Sequence, residues 1–248
     1  MGKQLFGVST HLYRAQHLRR EHLLEIASHG FEAVEVVAVD GHIDYRNPAT
    51  VADLQQWLAE AGLELANIHA TGGWDDAEHA LHIARRIPAR VLVVHANVGS
   101  RDAARKGLEH LARAGEPLGV TVGVEVLVDA KFRANSVVHF VEHEIDARVG
   151  ICLDVGHARI AGDVVEAIES VSEHLVAVDV HDNRGRTDDH LPPFDGMIDW
   201  PSALTMIQKI GFDGPLMFEV SGAGSAKDTL ARLRTARERF ERFLCMSI

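Results

Sequence analysis

The chain has 248 residues, with 25 Lys and Arg against 36 Asp and Glu, 16 His and two Cys, and a formal net charge of −11. The length suits one large α/β barrel, for which about 250 residues is typical, and it buries a full core without staples. The acidic balance argues against passive, sequence-independent binding to nucleic acid, which relies on a basic surface.

Cys152 lies within an apolar run and Cys245 near the C-terminus, so neither a disulfide framework nor a zinc knuckle is expected. The opening MGKQLFGVSTHLYRAQHLRR has no signal-like apolar stretch, and no run approaches the ~20 apolar residues of a bilayer span. A protein of the reducing cytoplasm, without membrane contact, is the expectation.

Eight short aliphatic runs predict strands at Leu5–Thr10, Ala33–Val39, Leu63–His69, Val91–His95, Thr121–Leu127, Gly150–Val155, Leu175–His181 and Pro215–Val220. They are apolar almost continuously, the pattern of strands buried on both faces of a parallel sheet. Helical patterns lie between them. The clearest spans Asn47–Ala61, with Asn47 as cap, Pro48 behind it, and Val51, Leu54, Leu58 and Ala61 on one stripe. Leu204, Ile207 and Ile210, then Leu230, Leu233 and Phe240, repeat that spacing, and Gly30, Gly62, Gly119 and Gly211 stand where left-handed C-caps belong. Asp199, Trp200 and Pro201 read as the start of another helix. An open doubly wound sheet allows the same alternation, but no G-x-G-x-x-G follows the first strand and the candidate ligands come from most strands. The fold class is therefore α/β, a single-domain (β/α)8 TIM barrel over residues 1–248.

Six of the strand runs end in metal-binding residue types: His69, His95, Glu125, Asp154, His181 and Glu219. They recur every 26 to 38 residues, close to the ~30 of one strand, crossover helix and return. In a closed parallel barrel that position is the C-terminal mouth, where the chemistry of such barrels is found. Glu125, Asp154, His181 and Glu219 make a set of three carboxylates and one imidazole, suited to Mn2+ or Mg2+, with Zn2+ or Co2+ also accommodated, one or more per chain. Such inward groups are costly in a dry core unless paired or coordinated. Ordinary ion pairs at the mouth are the alternative. His69 and His95 could face the same cavity or be structural. His157 follows Asp154 in D-V-G-H, where Gly156 is read as a sharp turn. Asp188 and His190 form a D-x-H pair in a polar loop, and His11 and Glu35 are weaker candidates near strand ends. Lys131, Arg133, Arg184 and Arg186 put positive charge on the same face, either as solvated loop charge or to receive a phosphorylated or carboxylated substrate.

The segments G-I-C-L-D-V-G-H, V-D-V-H-D-N, D-D-H-L-P and G-M-I-D-W resemble motifs of the xylose isomerase-like barrel superfamily over nearly the whole chain. That superfamily holds sugar isomerases and epimerases, inosose and dehydroshikimate dehydratases, and endonuclease IV. The resemblance implies that Glu125, Asp154, His181 and Glu219 bind the catalytic metal, that Glu125 and Glu219 handle protons, and that His157 contacts substrate. It also matches endonuclease IV at the positions of its further zincs: His69 and His95 with Glu125, and His157 with Asp188 and His190. Where the family often has L-P-x-G-x-G, this chain has L-P-P-F-D-G, which places Phe194 as a candidate to reshape the pocket rim.

Three functions follow. The first is a metal-dependent isomerase or epimerase of a sugar or related keto or polyol compound, working by proton transfer through a metal-bound enediolate, with a dehydratase as near neighbour. The second is phosphodiester hydrolysis at a multinuclear zinc site, supported by the nine matching residues and opposed by the acidic charge. The third, a barrel that keeps a metal for stability alone, is disfavoured by the intact ligand ring. A small-molecule substrate is the expected partner, nucleic acid is not, and self-association is left open.

Overall fold

A computed structural model describes residues 4–222 and 224–246. Eight parallel strands close in sequence order: β1 (Phe6–Ser9), β2 (Ala33–Val37), β3 (Glu64–Ala70), β4 (Val91–Val94), β5 (Thr121–Glu125), β6 (Val149–Asp154), β7 (Leu175–Val180) and β8 (Leu216–Phe218). The last pairs with the first through Phe6 and Leu216, Gly7 and Met217, and Val8 and Phe218. Around them run α1 (Arg20–Ser28), α2 (Pro48–Ala61), α3 (Trp74–Ala84), α4 (Arg101–Gly115), α5 (Ala134–Glu144), α6 (Val155–Ala161), α7 (Val164–Val171), α8 (Trp200–Lys209) and α9 (Ala226–Met246). The chain is a (β/α)8 TIM barrel.

Local chemistry sets the boundaries. The Asn47 side chain accepts from Ala49 N at the start of α2, and Gly62 ends that helix at φ 67°, a conformation that costs glycine nothing. Asp199 caps α8 by accepting from Ser202 N. Val51, Leu54 and Leu58 turn inward from α2, and Trp200, Leu204 and Ile207 from α8. The predicted first, second and last strands are shorter than their apolar runs, because hydrogen-bonded pairing stops where each chain peels off toward its loop.

Outward strand residues join the helices in one apolar shell. Inside the barrel, Val91, Val93, Cys152 and Ala177 form one cluster and Ala33, Ala66 and Met217 another. Above them the interior turns polar with Glu35, Asn67 and Asp179, all buried. The pairing register shifts at Val34/Glu35 and at Ile151/Cys152, irregularities of the kind that re-aim side chains beside barrel sites. No described helix is long and apolar enough to cross a membrane.

Two details correct the sequence reading. Two helices, not one, separate β6 from β7, because Asp154 both ends β6 and caps α6 by accepting from His157 N at 2.8 Å. Gly156 therefore lies in a helix and makes no sharp turn; it is small because a Cβ there would overlap the His181 ring. Phe194 leaves the mouth and packs into the helix layer, its ring 5.6 Å from Phe240 and 6.4 Å from Trp200, with the Arg239 guanidinium 3.3 Å over its face. The gain in apolar contact holds it there despite a φ of 75°.

Candidate metal centre

The strand ends carry the donors to one place. His69 lies within β3, Glu125 and Asp154 end β5 and β6, and His95, His181 and Glu219 follow β4, β7 and β8 by one residue. Because each strand has the same tilt and the same exit, side chains at equivalent positions converge at the mouth.

Three groups of contacts result. On one side, His69 Nε2 is 2.9 Å from Glu125 Oε2 and 3.2 Å from His95 Nε2, and His95 Nε2 is 2.6 Å from the same carboxylate oxygen. In the centre, His181 Nε2 is 2.9 Å from Asp154 Oδ1, and His157 Nδ1 is 3.2 Å from both Glu125 Oε1 and Asp154 Oδ2. On the other side, Asp188 Oδ2 lies 3.2 Å from His157 Nε2 and 3.0 Å from His190 Nε2, with its second oxygen 3.5 Å from His181 Nε2. Glu219 is reached by His11 Nδ1 at 3.1 Å and by His69 Nδ1 at 3.6 Å. The nine candidates His69, His95, Glu125, Asp154, His157, His181, Asp188, His190 and Glu219 thus form one connected network.

The rings are oriented by the scaffold. Nδ1 of His69 donates to Glu35 Oε1 at 3.3 Å, that of His157 to the Val126 carbonyl at 3.1 Å, that of His181 to the Asp182 carbonyl at 3.4 Å and that of His190 to the Glu219 carbonyl at 2.9 Å. All four turn Nε2 toward the shared carboxylates, and His157 also presents Nδ1 to Glu125 and Asp154. A ring nitrogen tied to a protein acceptor fixes the tautomer and frees the other nitrogen's lone pair, the arrangement metal-ligating histidines use.

Electrostatics make the same demand. Among the described residues the buried polar groups include Glu125, Asp154 and Glu219 but no Lys or Arg, so compensating positive charge is either imidazolium or a bound cation. Without a cation the protons stay on the rings. Burial disfavours every charge here, yet Asp154, Asp188 and Glu125 push His157 up to about 12, and Asp188 and Glu219 push His190 up to about 9. Glu35 and Glu125 raise His69 in the same way, and Asp154 raises His181. Against burial, His95 and His69 hold Glu125 well below the usual carboxylate range, and His11 and His69 hold Glu219 at about 2. A divalent cation would take over the compensating role of these protons, and the mixed nitrogen and oxygen donors fit Zn2+, Co2+ or Mn2+, with carboxylate-rich positions open to Mg2+.

The sequence reading undervalued two residues and missed a third. His11 stacks on His190 with ring centroids 4.6 Å apart while binding Glu219. Glu35 orients His69. Asp182, fully buried beside His181, accepts from Asn183 N, Phe194 N, Ile198 N and Trp200 Nε1 at 2.9 to 3.2 Å. That single carboxylate folds the loop that presents Asp188 and His190, and a Cβ at Gly196 would collide with it. The H-D-N and G-M-I-D-W motifs serve this hub. The basic candidates sit elsewhere. Arg133 lines a groove between α5, α6 and α7, exposed Arg184 lies 3.8 Å from Asp189, and Lys131 and Arg186 are on the rims of the β5–α5 and β7–α8 loops.

Comparison with known proteins places this architecture. "Uncharacterized protein MJ1311" of Methanocaldococcus jannaschii is 25% identical over 246 residues, 86% of this chain and 83% of that protein. A D-tagatose 3-epimerase-like protein superposes with a TM-score of 0.83 at 21% identity, covering 98% of this chain and 99% of the other. The zinc-bound IOLI protein (TM-score 0.78, 15% identity, 99% of both chains) and a magnesium complex from Mycobacterium smegmatis (0.79, 15%, 99% and 98%) share the fold. The profile of the xylose isomerase-like TIM barrel family matches residues 23–238, and the chain belongs to that family.

Proposed function

We propose that the protein is a divalent-metal-dependent isomerase or epimerase of a sugar or related keto or polyol compound. The observation that carries the reading is the common orientation of His69, His181 and His190, Nδ1 to the scaffold and Nε2 to Glu125, Asp154 and Asp188. It is a preformed donor set, and likeness to a D-tagatose 3-epimerase-like protein favours a sugar-type substrate. A bound cation supplies stabilisation of the negative charge that develops on a substrate carbonyl oxygen.

The chain's own residues do the rest. Glu125, Asp154, His181 and Glu219 hold the cation. Glu125 and Glu219 stand on strands on different sides of the mouth, so one takes the proton from the carbon beside the carbonyl and the other returns a proton to the opposite face. Expulsion of a neighbouring hydroxyl in place of reprotonation turns the same apparatus into a dehydratase. Lys131 and Arg184, on loops that follow β5 and β7, are assigned to contacts with an anionic substituent of the substrate, whereas Arg133, in its groove between α5, α6 and α7, is not. The partner is a small molecule, and the compartment the cytoplasm.

One observation favours a second reading. Asp188 faces His157, His181 and His190 together, next to the His69, His95 and Glu125 group, which accommodates several cations and suits phosphodiester hydrolysis. In deuterated water, with a panel of ketoses and keto acids, the isomerase incorporates solvent deuterium next to a carbonyl. Exchange is lost in Glu125→Gln or Glu219→Gln protein that still holds its metal. Cleavage of abasic-site DNA, three zincs per chain and no exchange across the panel would reverse the ranking.

A further inference from the structure

Ten of the 16 histidines lie outside the mouth, and one group of them has an order that chance surface polarity does not explain. Residues 139–143 read His-Phe-Val-Glu-His. Two histidines four apart share one helix face, and with Glu just before the second they form the H-x-x-E-H pattern by which helices of some metalloenzymes hold zinc.

The structure puts this segment on α5 with Val137, Phe140 and Val141 buried and His139, Glu142 and His143 exposed. The two imidazoles are 4.7 Å apart between ring centroids. Glu142 links them to a third: its Oε2 is 3.8 Å from His143 Nε2 and its Oε1 is 2.9 Å from Nε2 of His174, which precedes β7. Glu142 therefore bridges His143 to His174, and His139 stands ring to ring with His143, on a helix whose underside is buried through Phe140. Arg101, the nearby cation, is engaged by Glu144 at 2.6 Å.

We propose that His139, Glu142, His143 and His174 form an exterior site for one borderline transition-metal ion, Zn2+, Ni2+ or Cu2+, separate from the barrel mouth. Nitrogen-rich donors select such ions over Mg2+ and Mn2+, so Mg2+ and Mn2+ are left to the mouth and Zn2+ suits both sites. His139, Glu142 and His143 are exposed on α5 and His174 is half-buried before β7, with no cleft around them described, which makes this a binding site and not a second catalytic one. The inference is independent of the reaction at the mouth. A second surface pair, His79 and His82 on α3, is built differently: the spacing is three, the rings are 5.5 Å apart, and His79 Nδ1 donates to the Asp75 carbonyl at 2.7 Å.

Untagged, full-length protein with its mouth metal in place is titrated with Ni2+ in a calorimeter. Wild type binds one equivalent that His139→Ala/His143→Ala lacks and that His79→Ala/His82→Ala retains, with turnover unchanged in both. Glu142→Ala weakens the same event by roughly tenfold or more, no less than the loss of an outer partner of a ligand costs. Bound Cu2+ shows imidazole nitrogen couplings by electron paramagnetic resonance in wild type and not in the His139→Ala/His143→Ala protein. Equal Ni2+ uptake by wild type and His139→Ala/His143→Ala, or nitrogen couplings that survive in that variant, would overturn the assignment.

Discussion

The donors at the mouth rest on two kinds of backbone. His69, Glu125 and Asp154 belong to strands whose neighbours on both sides hold them by parallel pairing, and their side chains are at most 2% exposed. Asp188 and His190 belong to the loop between β7 and α8; Asp188 is 38% exposed and His190 is held at φ 45°. The strand-borne donors are placed by the barrel itself. The loop-borne donors are placed by Asp182, four donors on one carboxylate, plus the paired bridge between Asp182 and Leu191. One half of the centre is thus as rigid as the fold, and the other depends on a single buried side chain.

Asp182→Ala is expected to break the loop-borne half with the largest effect. Four donors lose their acceptor, which costs about 3 kcal/mol or more, read as a lower urea midpoint. Metal affinity falls as well, because Asp182 adjoins His181 and folds the loop that carries Asp188 and His190, while the strand-borne donors keep their places. An unchanged midpoint and metal affinity would show that the loop is held by other contacts.

Gly156→Ala acts on the centre of the comparison. The added Cβ overlaps the His181 ring, so either α6 or the ring moves, at a cost of about 1–3 kcal/mol. Part of that, ~1 kcal/mol, is offset by alanine's preference for a helix. Thermal stability therefore falls by the remaining ~0–2 kcal/mol, whereas metal affinity at Asp154 and His181 drops. Unaltered affinity would mean that His181 is not a ligand.

The pH response of the metal-free protein sharpens the comparison without a substitution. His190, raised to about 9, contributes stability that is complete below its unfolded pKa of ~6.5 and is lost as pH rises through about 9. Glu219, lowered to about 2, contributes stability present above its unfolded ~4.3 and lost as pH falls toward 2. Melting of the metal-free chain is therefore highest between ~4.3 and ~6.5 as far as these groups decide it. Metal binding has the opposite dependence on the alkaline side: the rings must release their protons, so affinity rises with pH up to about 9. Calorimetry in buffers of different ionisation heat measures the protons released; none released would refute imidazole ligation.

Much of the barrel is legible in the sequence because strand burial on both faces writes continuous apolar runs, and helix ends write caps such as Asn47, Gly62 and Asp199. The α6 helix is not, because its seven residues follow β6 without a break and are too short to show a period. Phe194 reads as a rim residue by its place in the motif, yet its surroundings come from α9, more than 40 residues on. Asp182 looks like one more loop acid until Phe194, Ile198 and Trp200 fold back onto it.

The sequence by itself determines which donors exist and at which strand end each stands, since the repeat length of one strand, helix and return is set by local periodicity. Only the tertiary structure decides which ring nitrogen faces inward. His69 takes its orientation from Glu35, 34 residues away, and His190 from the carbonyl of Glu219, 29 residues away. A tautomer is chosen by the acceptor that closes on it, and that acceptor arrives only when the barrel does.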